Sequence, residues 1–291
     1  MPELMCQYKT LRTGLVFLVL PMVLFLACGD NEEAAQQESA AAGSKQTVHV
    51  LQDQEPFKDW VRDRYGDVVF IHPPNHPQQE KFEEIARVFS ALKKQTRAFF
   101  RLAPTDSTVI YFYTGVGQGM QITQQTTPFS DGFVIHFWFP SYYGPPMVKH
   151  LLPLWSKEDP THKFLKDGLI ALLDGTTNNY HQATLKFIDS GTYIPLRRLA
   201  SDTAINVDME RYQSAEAASF VDYIVSSHGI DKLKELYESK GGFSAEVERI
   251  FMMPLGKLQE RWIDFLQIYG GKVTSVKGSK IQTSPGADSG Q

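Results

Sequence analysis

The sequence predicts an α+β fold, with a small N-terminal sheet and a long helix, two central helices and a helical C-terminal lobe. Three observations predict it. Runs dense in β-branched and aromatic residues, at 67–72, 107–114 and 132–139, read as strands and all fall in the first half of the chain. A stripe at three- and four-residue steps, Phe82, Ile85, Phe89 and Leu92, marks a long helix over 78–100. Past residue 174 the apolar residues recur at helical spacing almost to the end.

The chain opens with a targeting pattern. Lys9 and Arg12 precede an apolar run over 14–27, GLVFLVLPMVLFLA, which ends at Cys28 and Gly29. The run is shorter than the roughly 20 apolar residues of a spanning helix and fits the core of a secretory signal. Its ending, Leu24-Phe25-Leu26-Ala27-Cys28, resembles a bacterial lipobox. A signal peptide over 1–27 is therefore expected, with lipid attached at Cys28. That makes a lipoprotein on the exported side of a bacterial membrane, periplasmic or at the cell surface. Cys6 leaves with the signal, so Cys28 is the sole thiol of the mature chain and no disulfide is expected. Removing Lys9, Arg12 and Glu3 from 29 basic and 33 acidic residues leaves 27 against 32, a formal charge of −5. That balance argues against nucleic acid as a partner.

Residues 30–54 are mostly Glu, Gln, Ala, Ser and Gly, so 28–54 reads as a flexible tether. Residues 271–291 are similarly polar and read as a disordered tail. Between them, 55–270 reads as one domain, since 291 residues at 42% hydrophobic content suit a single medium core plus appendages.

Within the domain the first strand stops at Pro73 and Pro74, and Pro77 is well placed to open the long helix. His72 and His76 have helical spacing on paper. The prolines between them force extended backbone, so solvated turn histidines are expected there rather than a metal pair. After the second strand comes GVGQGMQITQQTTPFSDG, residues 115–132. Its glycines lack the lysine-serine pair of a phosphate cradle, and it reads as a mobile loop. In the third strand Phe133, Ile135, Phe137 and Phe139 share one face and Val134, His136 and Trp138 the other. For His136 the expectation is a half-buried histidine bonded to a neighbour.

DGTTNN, residues 174–179, is a turn, and a short helix passes through Leu185 and Ile188. Further helices are expected over 210–227, 231–239, 244–252 and 254–269. The last places Leu255, Leu258, Trp262, Phe265, Leu266 and Tyr269 on one face, with Gly270 as its stop.

The chemistry is expected in the centre, at 147–175, MVKHLLPLWSKEDPTHKFLKDGLIALLDG. His150 is followed by Phe164-Leu165-Lys166-Asp167-Gly168-Leu169-Ile170-Ala171. This layout resembles the gluzincin type of zinc metallopeptidase, the thermolysin-like group. There one helix carries His-Glu-x-x-His and the next an acidic ligand in a pattern close to Trp-Leu-x-Glu-Gly-Leu-Ala. Pro195-Leu196 and Leu199, Tyr212 and Ser214, Phe220, Leu258, Trp262 and Phe265 are similar to later parts of the family pattern, so the resemblance covers roughly 78–266. It implies a strand at 132–139 on the cleft edge, where such peptidases lay an extended substrate by strand addition. His136, Trp138, Phe139 and His162 are then the candidate cleft-lining residues.

The departures fall on the residues that do the chemistry. Set on the family motif, Leu151 takes the general-base position, Leu154 that of the second histidine and Asp167 that of the glutamate. Leucine neither binds metal nor accepts a proton, and a catalytic zinc takes about three protein ligands and a water. Pro153 also removes a backbone donor from the first helix.

Two classes of function stay open. One is a pseudoenzyme: a lipid-tethered, peptidase-like domain with no cofactor and no catalytic residue, whose cleft binds a peptide, a glycan or a partner protein through the region from Phe133 to Tyr143. The other is a hydrolase with an unorthodox zinc site that draws His150, His162 and Asp167 together. His162 and Asp167 fall on different sides of a regular helix, so the second class needs His162 to lie ahead of it.

Overall fold

The computed structural model describes residues 55–176, 178–201 and 210–269. The expected signal peptide, Cys28, the tether before residue 55 and the tail from 271 lie outside the described residues. The described part is α+β, with five strands in one sheet near its start and ten α-helices, most of them after it.

β1 (Val61–Tyr65) and β2 (Val68–His72) form an antiparallel hairpin closed by Gly66, at φ +63°, and Asp67. A short 3-10 turn, Gln79–Lys81, leads into α1 (Phe82–Phe100), and β3 (Thr108–Phe112) then pairs parallel with β2. α2 (Val116–Thr123) and the two-residue β4 (Phe129–Ser130) follow, before β5 (Ile135–Phe137). β5 is parallel to β3 and antiparallel to β4, which gives the order β1-β2-β3-β5-β4.

Three expectations change here. β1 has no counterpart in the sequence reading, because Arg62, Asp63 and Arg64 interrupt its apolar pattern; charge of this kind suits a strand at a sheet edge. Residues 115–132 are not a loop throughout but hold α2 and β4. Gly119 makes that possible: a Cβ there would lie 2.6 Å from the Trp138 ring, so only glycine lets α2 rest on the indole. Finally, the strand expected at the cleft edge is interior, since β5 lies between β3 and β4 and the edge position belongs to β4.

Both faces of the sheet are covered. On one, Val68, Phe70, Phe112, Ile135 and Phe137 pack on Phe82, Ile85 and Phe89 of α1 and on Met147 and Leu151 of α3 (Gly144–Trp155). On the other, Val69, Ile71, Tyr111, Val134 and Trp138 pack on Phe57, Trp60 and Ile122. Burial from both sides is why β2 and β3 read as unbroken apolar runs rather than alternating ones.

The same covering corrects the picture of His72 and His76. Both are buried, with ring centroids 5.9 Å apart. Nδ1 of His72 donates to the Pro73 carbonyl at 2.9 Å, and Nε2 lies 3.1 Å from Asp63 Oδ2. His76 donates from Nε2 to the Tyr113 carbonyl and accepts at Nδ1 from the Gln78 N–H, both at 3.1 Å. They are structural groups packed on Phe82, with their ring nitrogens already engaged.

The rest is helical: α4 (Lys163–Leu172), α5 (Tyr180–Asp189), α6 (Leu196–Leu199), α7 (Glu210–His228), α8 (Ile230–Glu238), α9 (Phe243–Phe251) and α10 (Leu255–Tyr269). The bounds of α7 to α10 match the periodicity to within a residue, while α6 has no counterpart among the expected helices. Their core joins Phe164, Leu165 and Leu169 to Phe220, Val221 and Ile224 and to Leu258, Trp262 and Leu266. On α10, Leu255, Leu258, Trp262 and Leu266 of the expected face are buried, Phe265 is half-buried and Tyr269 is exposed.

Candidate functional site

A cleft of about 860 Å³ opens where α3, α4, α5 and the first turns of α7 meet. Its walls follow helical arithmetic. Pro145 and Lys149 stand one turn apart on α3, while Asp167, Ile170, Ala171 and Asp174 fall at i, i+3, i+4 and i+7 along α4 and into the turn after it. Tyr180, Ala183 and Phe187 continue this on α5, and Gln213, Ser214 and Ala215 come from α7.

The turn after α4 is fixed by its own side chains. Asp174 accepts the Thr176 backbone N–H at 2.7 Å and the Tyr180 hydroxyl at 3.0 Å. Asn178 donates to Thr176 Oγ1 at 2.9 Å. Asn179 caps α5 by accepting the Gln182 N–H at 3.0 Å. Gly144 brings α3 against this turn: a Cβ on it would fall 1.9 Å from the Asp174 carbonyl oxygen, so the two backbones touch.

α3 turns the residues of the family resemblance in different directions. Leu151 is fully buried in the core under the sheet, and Leu154 is more than half exposed. His150 is half-buried, with Nδ1 3.4 Å from the Ser130 hydroxyl of β4. Burial first, and then the ammonium of Lys93, push its pKa down to about 4, so its ring is neutral at neutral pH. Pro153 sits in the last turn of α3, which continues to Trp155. Having no N–H, it leaves the Lys149 carbonyl without its helical partner.

The other candidates are equally scattered. Asp167 is exposed and lines the cleft. His162 does lie ahead of α4, in extended backbone, but its ring points elsewhere: Nε2 is 3.2 Å from the Gly241 carbonyl and Nδ1 3.4 Å from that of Ala200. His136 is buried between Phe129 and Tyr111, at centroid distances of 4.5 and 5.4 Å, with Nδ1 2.7 Å from the Tyr113 hydroxyl. Trp138 is core beneath α2, and Phe139 packs on Phe112, Phe137 and Tyr143. None of these last four lines the cleft. Strand alternation explains two of them, since His136 and Trp138 face the side of the sheet away from α3.

Zinc requires several donors at one point, and the described residues do not assemble them. Among the described residues no group of three or more His, Cys, Asp or Glu side chains is placed to hold a metal ion. His150, His162 and Asp167 each face a different neighbourhood.

Two buried polar groups stand beside the cleft, and neither shows in local spacing because their partners lie far apart in the chain. His181 of α5 has Nδ1 2.9 Å from Ser219 Oγ and Nε2 2.8 Å from Asp222 Oδ2, both on α7. Trp262 Nε1–H donates to the same Ser219 oxygen at 3.2 Å. A serine, histidine and aspartate in contact resemble a hydrolytic triad, but Ser219 is wholly buried and its oxygen is already engaged. The network braces α5 and α10 against α7. On the same helix Glu216, also wholly buried, accepts among the described residues the Ile194 N–H alone, at 3.1 and 3.2 Å from its two oxygens. Burial pushes its pKa up to about 8.

Among the described residues no helix is long and apolar enough to cross a membrane. Comparison with protein-family models, with curated proteins and with solved structures finds no match to this chain.

Proposed function

We propose that the chain is a membrane-tethered lipoprotein whose gluzincin-like domain holds a ligand in the cleft between α3, α4, α5 and α7 without cutting it. The observation that carries this reading is the position of the cleft. It runs along the two helices that bear the family resemblance, with Lys149 of the first and Asp167 of the second in its walls. The hydrolytic parts are elsewhere: Leu151, in the general-base position, is core, and His150 faces Ser130. A concave site with an apolar floor and a few polar groups on its rim is how binding sites are generally built. The tether and lipid anchor rest on the residues around Cys28.

The test is elemental analysis of protein purified without chelator, alongside peptide-cleavage assays on unmodified protein and His150→Ala. The expected result is no stoichiometric zinc and no cleavage by either protein. Near-equimolar zinc that disappears with His150→Ala would replace this reading with a metal-dependent hydrolase.

A further inference from the structure

The charged groups of the cleft are unequally satisfied. Asp174 has partners on both oxygens, and Asp167 also interacts within the chain. Lys149 does not. It is half-buried in the cleft wall, and its ammonium takes part in none of the hydrogen bonds or ion pairs of the described residues. Its stem packs in the wall while the ammonium offers three donors and no acceptor.

The remaining lining narrows the partner. The lining is mainly aliphatic, from Pro145, Ile170, Ala171 and Ala183; its two aromatic rings, Tyr180 and Phe187, are both partly buried rather than open plates. Sugars are gripped by broad exposed aromatic plates, whereas an aliphatic floor suits the side chains of a polypeptide. Asn178 and Gln213 bring amides that match peptide groups in both donor and acceptor.

We propose that the cleft takes a peptide through a carboxylate, with Lys149 as the ion-pair partner of that carboxylate. This rests on the cleft being a ligand site, as argued above. An ammonium-to-carboxylate hydrogen bond is about twice as strong as a neutral one, so this contact favours an acidic group at Lys149 against the Asp167 and Asp174 carboxylates of the same walls. An aspartate or glutamate side chain and a free C-terminus supply the same group.

The probes are two pools of randomised hexapeptides, one ending in free acids and one in amides, passed over immobilised full-length protein. Retained peptides are read by mass spectrometry. Acid-bearing peptides should be enriched about tenfold over neutral ones, the worth of one charged hydrogen bond. Enrichment of Asp and Glu within the amide pool identifies a side-chain carboxylate, and enrichment confined to the free-acid pool identifies a C-terminus; both support the proposal.

Lys149→Gln should remove the preference, and Lys149→Glu should invert it toward Lys and Arg, a gain that only a folded cleft can show. No retained peptide, no acidic enrichment, or enrichment that persists in Lys149→Glu overturns the proposal. Zinc-dependent cleavage of the pools overturns the non-hydrolytic reading instead, and it is scored separately from the charge preference.

Discussion

Gly168 of α4 packs so closely on Ala217 of α7 that a Cβ added to it would lie 2.6 Å from the Ala217 carbonyl oxygen and 2.9 Å from Val221 Cγ2. Backbone therefore meets backbone along the seam between the helix that carries Asp167 and the one that supplies Gln213 to Ala215.

Gly168→Ala pits two effects against each other. Alanine is a better helix former by about 1 kcal/mol, but overpacking a rigid contact costs about 1–3 kcal/mol. The obstacle is a carbonyl that cannot rotate away, so the net change should be a loss. Gly256→Ala in α10 is the control, because nothing lies within 4 Å of its would-be Cβ. It should be neutral or stabilising. Denaturant midpoints of the two variants decide the matter, and equal shifts would refute the close seam.

Glu216 should make stability depend on pH. Its folded pKa of about 8 exceeds the ordinary 4.5, so between those values the folded state binds the proton and the unfolded state does not. Its contribution is fully present below pH 4.5 and is lost as pH rises to about 8, at up to about 1.4 kcal/mol per pH unit. Glu216→Gln keeps an acceptor for the Ile194 N–H and cannot ionise. The variant should gain most on the unmodified protein at pH 8 and above. Parallel unfolding curves at every pH would show that Glu216 is not a buried acid.

The Ser219 brace predicts non-additive losses. Ser219→Ala strands the Trp262 N–H and His181 Nδ1 in the interior, which should cost about 2–4 kcal/mol. Once Trp262→Phe has removed the donor, the same change should cost less. A double-mutant cycle measures the difference, and strict additivity would mean that the two groups are not coupled.

Cys28→Ser tests the anchor. The variant should leave the membrane fraction and lose acyl-chain labelling, while the melting of the domain stays as it was. Labelling that persists in the variant refutes lipid attachment at Cys28.

Trp138 separates what was legible in the sequence from what was not. Its strand face followed from alternation alone, because Val134, His136 and Trp138 had to point opposite to Ile135 and Phe137. Whether that face met a ligand or a core did not follow, and it is α2, passing over Gly119, that buries the indole.

The helices were legible for the same kind of reason. Phe82, Ile85 and Phe89 on α1, and Leu258, Trp262 and Leu266 on α10, record in their spacing which side leaves water. The sequence by itself therefore determined the α+β class and the C-terminal helices, since each is a property of neighbouring residues. Tertiary structure alone decided that β4 forms the edge, that His72 and His76 are buried, and that Lys149 rather than His150 lines the cleft. Local periodicity specifies which face of an element is buried but not what lies across from it. Lys149 shares the cleft with Asp167, Tyr180 and Gln213 only because α3, α4, α5 and α7 close on one another around the backbone contacts at Gly144 and Gly168.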